Sequence, residues 1–317
     1  SLMKKVVTIG GGSGSFVLLN GLKKYNLQIS AIVNMFDSGG STGKLRDEFG
    51  ILPTGDIRRC LLALSSDNGD KTLRELFSFR FKEDSSFGGH SFGNLFLTAL
   101  TQITGNEIKA IKKAEKILNV RGKILPVTTN NSNLCAELEN GKIIFGETNI
   151  DIPKHDGNLK IKRVFLEPEA KAFYEAVDAI KEADLIVTGP GDLYTSIIPN
   201  MLVTGISEAI SQSKAKKVFV CNLMTKFGET NNFKASDFIK IITRYVGIKF
   251  DFVVCDNTTL DREILERYSE ENAERVICDM EEIKKLNVRI LIADVAKQSG
   301  LLRHDSDKLA EVLIGLI

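Results

Sequence analysis

Short apolar runs recur along this chain of 317 residues, and most of them end in a glycine-rich or polar turn. Amphipathic segments with apolar residues at helical spacing lie between many of these runs. Strands that alternate with helices are typical of a doubly wound, mostly parallel α/β sheet. We therefore expect a fold of this class, and the length suits one large domain or two ordinary ones. The predicted strands cover residues 5–9, 29–33, 123–128, 161–166, 184–188, 217–221, 251–255 and 288–293.

One pair of strands shows a different pattern. Residues 134–138 and 142–147 are joined across Glu139-Asn140-Gly141, and Asn-Gly is a preferred tight turn between antiparallel strands. This segment predicts a β-hairpin at the periphery of the parallel sheet.

Polar turns follow several of the predicted parallel strands. Ligands of doubly wound sheets bind beyond the carboxyl ends of the strands. The turns that converge there should form one binding site. They comprise residues 10–14, 34–37, 129–131, 189–192 and Asn222.

The first turn, Gly10-Gly-Gly-Ser-Gly14, precedes a helix predicted over residues 15–24. A helix N-terminus offers free N–H groups to phosphate. The match to the dinucleotide fingerprint is incomplete, since Val17 replaces the third glycine and Asn34 replaces the ribose-binding acid. A tight turn without a ligand is the alternative. The candidate contacts are Gly11, Gly12, Ser13 and Gly14.

The segment from Asp37 to Arg59 combines glycines, hydroxyls, carboxylates and arginines, and is predicted to be an irregular connection. Asp37 and Asp56 are candidate magnesium ligands, because magnesium prefers carboxylate oxygens, and in an enzyme they would be the catalytic pair. The alternatives are a mobile surface loop and, for Asp56, the N-cap of a following helix. The candidate phosphate contacts in this segment are Ser38, Gly40, Ser41 and Thr42.

Further candidates lie downstream. Arg58 and Arg59 fall in the first turn of the helix predicted near Asp56, where positive charge is unfavourable unless an anion binds. Arg303 is a candidate cation for a phosphate, although a surface role is equally compatible with its spacing. The other ligand-binding candidates are Asn94, Gly189, Gly191, Asp192 and Asn222.

Composition gives weaker limits. A net charge of +1 gives no hint of a nucleic-acid partner. The five cysteines are scattered and are typical of small buried residues in a reducing compartment. Because no apolar run is long enough to span a bilayer, we expect a cytoplasmic protein without membrane insertion. We also expect no tightly bound organic cofactor.

Five motifs, taken in order, resemble the bacterial gluconeogenesis factor family, a branch of the superfamily that includes 2-phospho-L-lactate transferase. The resemblance runs from Lys4 to the end of the chain. It implies that residues 3–317 form a single Rossmann-like α/β/α domain, and it also implies a homodimer. The motifs are Gly10-Gly-Gly-Ser-Gly14, residues 37–46, Leu52-Pro-Thr-Gly-Asp56-Ile-Arg58, His90-Ser-Phe-Gly-Asn94-Leu and Gly189-Pro-Gly-Asp-Leu-Tyr194.

The resemblance implies two functions of different classes. The bacterial branch is associated with binding nucleotide sugars, notably UDP-N-acetylglucosamine, and with cell shape and wall synthesis during gluconeogenic growth. In that branch an arginine matching Arg303 contacts the nucleotide sugar.

The transferase branch moves a phospholactyl group from a nucleoside diphosphate carrier to a deazaflavin with magnesium, and its acidic pair corresponds to Asp37 and Asp56. This chain departs from that branch at Asp37-Ser38, where the transferase has two adjacent acids. A nicotinamide-dependent oxidoreductase is a third hypothesis, and Asn34 counts against it.

Overall fold

A computed structural model describes residues 2–247 and 249–317. Twelve strands form a large parallel sheet and two small antiparallel ones. The strands are β1 (Lys4–Gly10), β2 (Leu27–Val33), β3 (Lys123–Pro126), β4 (Asn133–Leu138), β5 (Ile143–Phe145), β6 (Ile161–Glu167), β7 (Leu185–Thr188), β8 (Lys216–Val220), β9 (Phe252–Asp256), β10 (Arg289–Ala293), β11 (Ala296–Ser299) and β12 (Leu301–His304).

Seven strands form the central sheet in the order β10-β9-β8-β7-β1-β2-β3, and every neighbouring pair is parallel. The chain builds outward from β1 in one direction through β2 and β3, then returns to place β7 on the other side of β1. The strand order therefore reverses between β1 and β7, and such a switch point is where open α/β sheets bind ligands. The predicted fold class is confirmed.

Helices flank this sheet, and α1 packs against α3 and α14. A π-helical turn, Leu193–Ile197, precedes α9. The helices are α1 (Gly12–Leu22), α2 (Gly40–Phe49), α3 (Gly55–Leu64), α4 (Lys71–Ser78), α5 (Phe92–Thr104), α6 (Glu107–Ile117), α7 (Glu147–Asp151), α8 (Tyr174–Glu182), α9 (Ile198–Leu202), α10 (Ile206–Gln212), α11 (Ala235–Val246), α12 (Arg262–Glu270), α13 (Met280–Lys285) and α14 (Ser306–Ile314).

The apolar runs form the core because the strands between two helical layers are buried on both faces. All four residues of β7 are buried, and in β1 the run from Val6 to Gly10 is buried as well. No described helix is both long and apolar enough to cross a lipid bilayer.

The predicted peripheral hairpin is confirmed as β4 and β5, and β6 adds a third antiparallel strand to it. A second hairpin, β11–β12, was not predicted, because its short polar strands carry no apolar alternation. Its turn is at Gly300, where φ is +78°. This hairpin leads directly into α14 and carries Arg303 and His304.

The prediction of an irregular connection from Asp37 to Arg59 was wrong in part, because residues 40–49 form α2. Gly43 suits this helix because a Cβ there would lie 2.1 Å from the Ser38 carbonyl oxygen. Gly50 ends α2 in the left-handed region, with φ +64°. Gly43 is needed for close packing and Gly50 for the end of the helix. The prediction was wrong because it treated glycine only as a residue of low helix propensity.

The close packing of α1 on α14 gives a test of the fold. A Cβ on Gly21 would lie 2.0 Å from the Ser306 carbonyl oxygen, so Gly21→Ala should lower the free energy of unfolding by about 2 kcal/mol. Asn20→Ala, at the partly exposed neighbouring position, should change it by less than about 0.5 kcal/mol. Urea unfolding of both variants measures the difference, and equal stabilities would contradict the packing.

Candidate functional site

Two glycine turns meet at the switch point between β1 and β7. Gly11 is extended, Gly12 has φ +65°, and α1 starts at once from this turn. A Cβ on Gly14 would lie 2.1 Å from the Pro190 carbonyl oxygen, which belongs to the turn after β7. The two turns are therefore in contact, and only glycine allows that approach at residue 14.

Asparagine side chains fix both turns. Asn34 Nδ2 donates to the Thr195 carbonyl oxygen at 2.9 Å, and Asn200 Nδ2 donates to the Gly10 carbonyl oxygen at 3.3 Å. Asn222 Nδ2 donates to the Gly191 carbonyl oxygen at 2.7 Å, which leaves its buried Oδ1 without a partner among the described residues. Asn34 thus has a structural role here, in place of the ribose-binding acid.

A cavity of about 200 Å³ opens between the two turns and the β11–β12 hairpin. Its lining includes the largely apolar side chains of Leu223, Met224 and Tyr268. The predicted contact Gly189, with φ +78°, does not line the cavity. The predicted ligand-binding residues that line it are Gly11, Gly12, Ser13, Gly14, Gly191, Asp192, Asn222 and Arg303.

Asp56 is not the N-cap of its own helix, because α3 begins at Gly55 and the cap position is Thr54. Its Oδ1 instead accepts hydrogen bonds from the Gly12 N–H at 2.9 Å and from Arg59 Nη1 at 2.7 Å. The residue is 5% exposed. Asp56 therefore joins the start of α1 to the start of α3.

Asp37 lies beside Asp56 but is not among the residues that line the cavity. Burial and the neighbouring Asp56 carboxylate raise the pKa of Asp37, while a hydrogen bond from the Gly39 N–H at 2.9 Å opposes this shift. Burial, Asp37 and Asp151 together raise the pKa of Glu147 to about 8. Glu147 is thus largely protonated at neutral pH in the absence of a cation.

A second group of carboxylates adjoins this one. Oxygens of Asp151, Asp192 and Glu229 lie within 4.8 Å of one another. Lys226 Nζ lies 3.1 Å from Asp151 and 3.9 Å from Asp192, so the group has one cation. Burial and Asp192 raise the pKa of Glu229 well above its usual value. Of these residues only Asp192 was predicted, because the others follow segments without a ligand-binding pattern.

The other predicted phosphate contacts lie on the α2 side of Asp56. Ser38 Oγ is 2.9 Å from Thr148 Oγ1, and Ser41 Oγ is 2.9 Å from His90 Nδ1. Thr42 is buried in α2, and Gly40 starts that helix with φ +49°. These four residues belong to the segment that leads into α2 and to its first turn. None of them lines the cavity at the switch point.

Asn94 also lies away from the cavity, at the start of α5. Its Oδ1 accepts a hydrogen bond from Arg58 Nε at 3.1 Å. Burial, together with nearby Arg59 and Arg80, lowers the pKa of Arg58 to about 10, so this guanidinium remains charged at neutral pH.

Comparisons with known proteins agree with this architecture. The family model for 2-phospho-L-lactate transferase CofD matches residues 6–296. Two crystal structures of a Bacillus halodurans protein superpose with TM-scores of 0.94 at 42% sequence identity, and each covers 99% of this chain.

Several curated relatives are similar over the full chain. The gluconeogenesis factor of Listeria innocua is 44% identical over 317 residues, which is 99% of this chain and 95% of that protein. The gluconeogenesis factor of Bacillus subtilis is 42% identical over 316 residues, covering 99% of this chain and 98% of that protein.

The raised pKa of Glu147 gives a prediction on stability. Between the unfolded value of 4.5 and the folded value of about 8, the folded protein holds more protons at this group than the unfolded chain does. The free energy of unfolding should therefore fall as pH rises through this window, by at most roughly 4 kcal/mol for this residue.

Glu147→Gln should flatten that fall, because glutamine does not titrate. Glu169→Gln, which removes an exposed carboxylate, should leave it unchanged. Denaturant unfolding between pH 5 and 8 in buffer with EDTA measures the effect. If the free energy of unfolding changes with pH equally in wild type and Glu147→Gln, the folded protein does not raise the pKa of Glu147.

Proposed function

The chain belongs to the 2-phospho-L-lactate transferase CofD family, and from its site we propose that it binds a nucleotide sugar, such as UDP-N-acetylglucosamine, as a cytoplasmic regulator. The observation that carries the proposal is the cavity between the glycine turns after β1 and β7. That cavity combines a helix N-terminus and a cation, which suit phosphates, with apolar side chains, which suit a base or a sugar ring.

The diphosphate would lie at the start of α1. Gly11, the residue before this helix, has no side chain to cap it, so the N–H groups of Ser13 and Gly14 are available to phosphate oxygens. Arg303 of the β11–β12 hairpin lines the same cavity and is exposed. Its guanidinium can bind phosphate oxygens in a bidentate manner.

The sugar and ribose hydroxyls require acceptors. Asn222 Oδ1 is buried without a partner among residues 2–247 and 249–317, and the Asp192 carboxylate lines the same cavity. A hydroxyl that donates to Asn222 would satisfy an atom whose isolation otherwise costs about 1–3 kcal/mol.

The relatives named gluconeogenesis factor give the proposal its physiological setting. A protein of this kind would link the nucleotide-sugar supply to cell shape and wall synthesis during growth on gluconeogenic carbon. It would act as a homodimer.

A magnesium-dependent transferase of phosphorus-containing groups is the second candidate. Asp37 and Asp56 would hold the ion, which would stabilise negative charge on the transferred group. The observation in its favour is the set of mutually repelling carboxylates around Asp37, since a divalent cation would offset their repulsion. Asp56 Oδ1 already accepts two hydrogen bonds, so its other oxygen would be the ligand.

Calorimetry with UDP-N-acetylglucosamine tests the binding site. Arg303→Gln should weaken binding about tenfold or more, because a charge-assisted hydrogen bond contributes about 1.5–3 kcal/mol. Arg289→Gln, at an exposed arginine of the sheet edge, is the matched control and should bind like wild type. Equal affinities for the two variants would place the ligand elsewhere.

The role of magnesium is tested by substituting the acidic pair. Asp37→Asn should abolish any magnesium dependence of binding or turnover, because one candidate ligand oxygen becomes an amide. Asp56→Asn should also weaken binding without magnesium, since the residue holds the Gly12 N–H. Calorimetry with and without magnesium separates the two effects. If both variants match wild type in all conditions, the acidic pair has no functional role.

A further inference from the structure

Arg58 is a buried cation without an ion-pair partner among the described residues. The residue is 7% exposed, and no carboxylate of the described residues lies within 4.0 Å of its guanidinium. Its bond to Asn94 is made by Nε, which leaves the two Nη groups without a protein acceptor in the part of the chain that the structure describes. Neither Nη atom is among the fully buried atoms that lack a partner, so both retain contact with solvent, through which an anion can reach them. A largely desolvated cation without an ion-pair partner favours the binding of an anion.

The surrounding elements add to this requirement. Arg58 lies in the first turn of α3, and its side chain runs across Gly93 in the first turn of α5, where a Cβ would lie 2.7 Å from Arg58 Cδ. Both helices therefore direct their positive dipole ends toward this cation. Arg59 and Arg80 add further positive charge near it, and together with burial they outweigh the attraction of the Asp56 and Asp37 carboxylates.

Asn94 supplies the second, independent observation. It is 1% exposed, and its Nδ2 has no partner among the described residues. Because Oδ1 accepts the Arg58 hydrogen bond, the orientation of the amide is set and Nδ2 remains a free donor. The Thr54 hydroxyl, at the cap position of α3, is also buried without a partner. The starts of α3 and α5 thus carry a cation and two neutral donors that lack an acceptor among the described residues.

We propose that Arg58 and Asn94 form a binding site for the phosphate or carboxylate group of a second ligand. Neither residue lines the cavity between the glycine turns, so this anion site is separate from the nucleotide-sugar site. The proposal does not depend on nucleotide-sugar binding. Under either proposed function, the protein would bind an anionic second ligand at the starts of α3 and α5.

Asn94→Asp tests the site with nearly unchanged side-chain volume. The new carboxylate would pair with Arg58 and occupy the anion's role. In phosphate-free buffer the variant should melt at a higher temperature than wild type. Its stabilisation by added inorganic phosphate should require at least tenfold more phosphate. Asn106→Asp, which makes the same change at the exposed N-cap of α6, should keep the wild-type response.

The glycine turns could also take up phosphate, so the titration is repeated in a Gly14→Ala background, where the approach to Pro190 is blocked. Stabilisation by phosphate that survives Gly14→Ala and is lost in Asn94→Asp supports the anion site. Stabilisation that is lost in Gly14→Ala and kept in Asn94→Asp overturns it, and so does a wild-type protein that responds to neither phosphate nor acetate. A response to acetate alone identifies a carboxylate ligand.

The two proposals fail separately. If the wild-type protein does not bind UDP-N-acetylglucosamine, only the nucleotide-sugar proposal is overturned.

Discussion

The hydrogen bonds of Asp56 connect the parts of the site. One carboxylate oxygen accepts from the first N–H of α1 and from the Arg59 guanidinium, so two helices from different parts of the chain start at fixed positions around it. The residue is almost fully buried, and a buried carboxylate is stable only when it is paired and hydrogen-bonded. Through Gly12 this contact adjoins the cavity, and through α3 it adjoins the Arg58–Asn94 pair.

Much of the fold was predictable from the sequence, because buried parallel strands appear as continuous apolar runs and Asn140-Gly141 indicates a tight turn. The contact between the two glycine turns follows from the strand order, which places β7 beside β1. The sequence also indicated that the turns share one edge of the sheet. It could not indicate that Gly14 touches Pro190, since that contact depends on the packing of both turns.

The missed parts share a physical cause. The glycines of α2 meet requirements of close approach and helix termination, which propensity alone does not reveal. Glu147 and Glu229 come from separate elements, and their shifted pKa values depend on burial and on distant neighbours. The β11–β12 hairpin, which brings Arg303 to the cavity, has too little apolar content to be predicted as a pair of strands.

The central claim is that one diphosphate occupies the junction of the two glycine turns. A crystal structure of the protein with UDP-N-acetylglucosamine tests it most directly. The account predicts diphosphate oxygens within hydrogen-bonding distance of the Ser13 and Gly14 N–H groups, with the Arg303 guanidinium on the opposite side. Density for the diphosphate at any other surface, with this junction filled only by water, would contradict it.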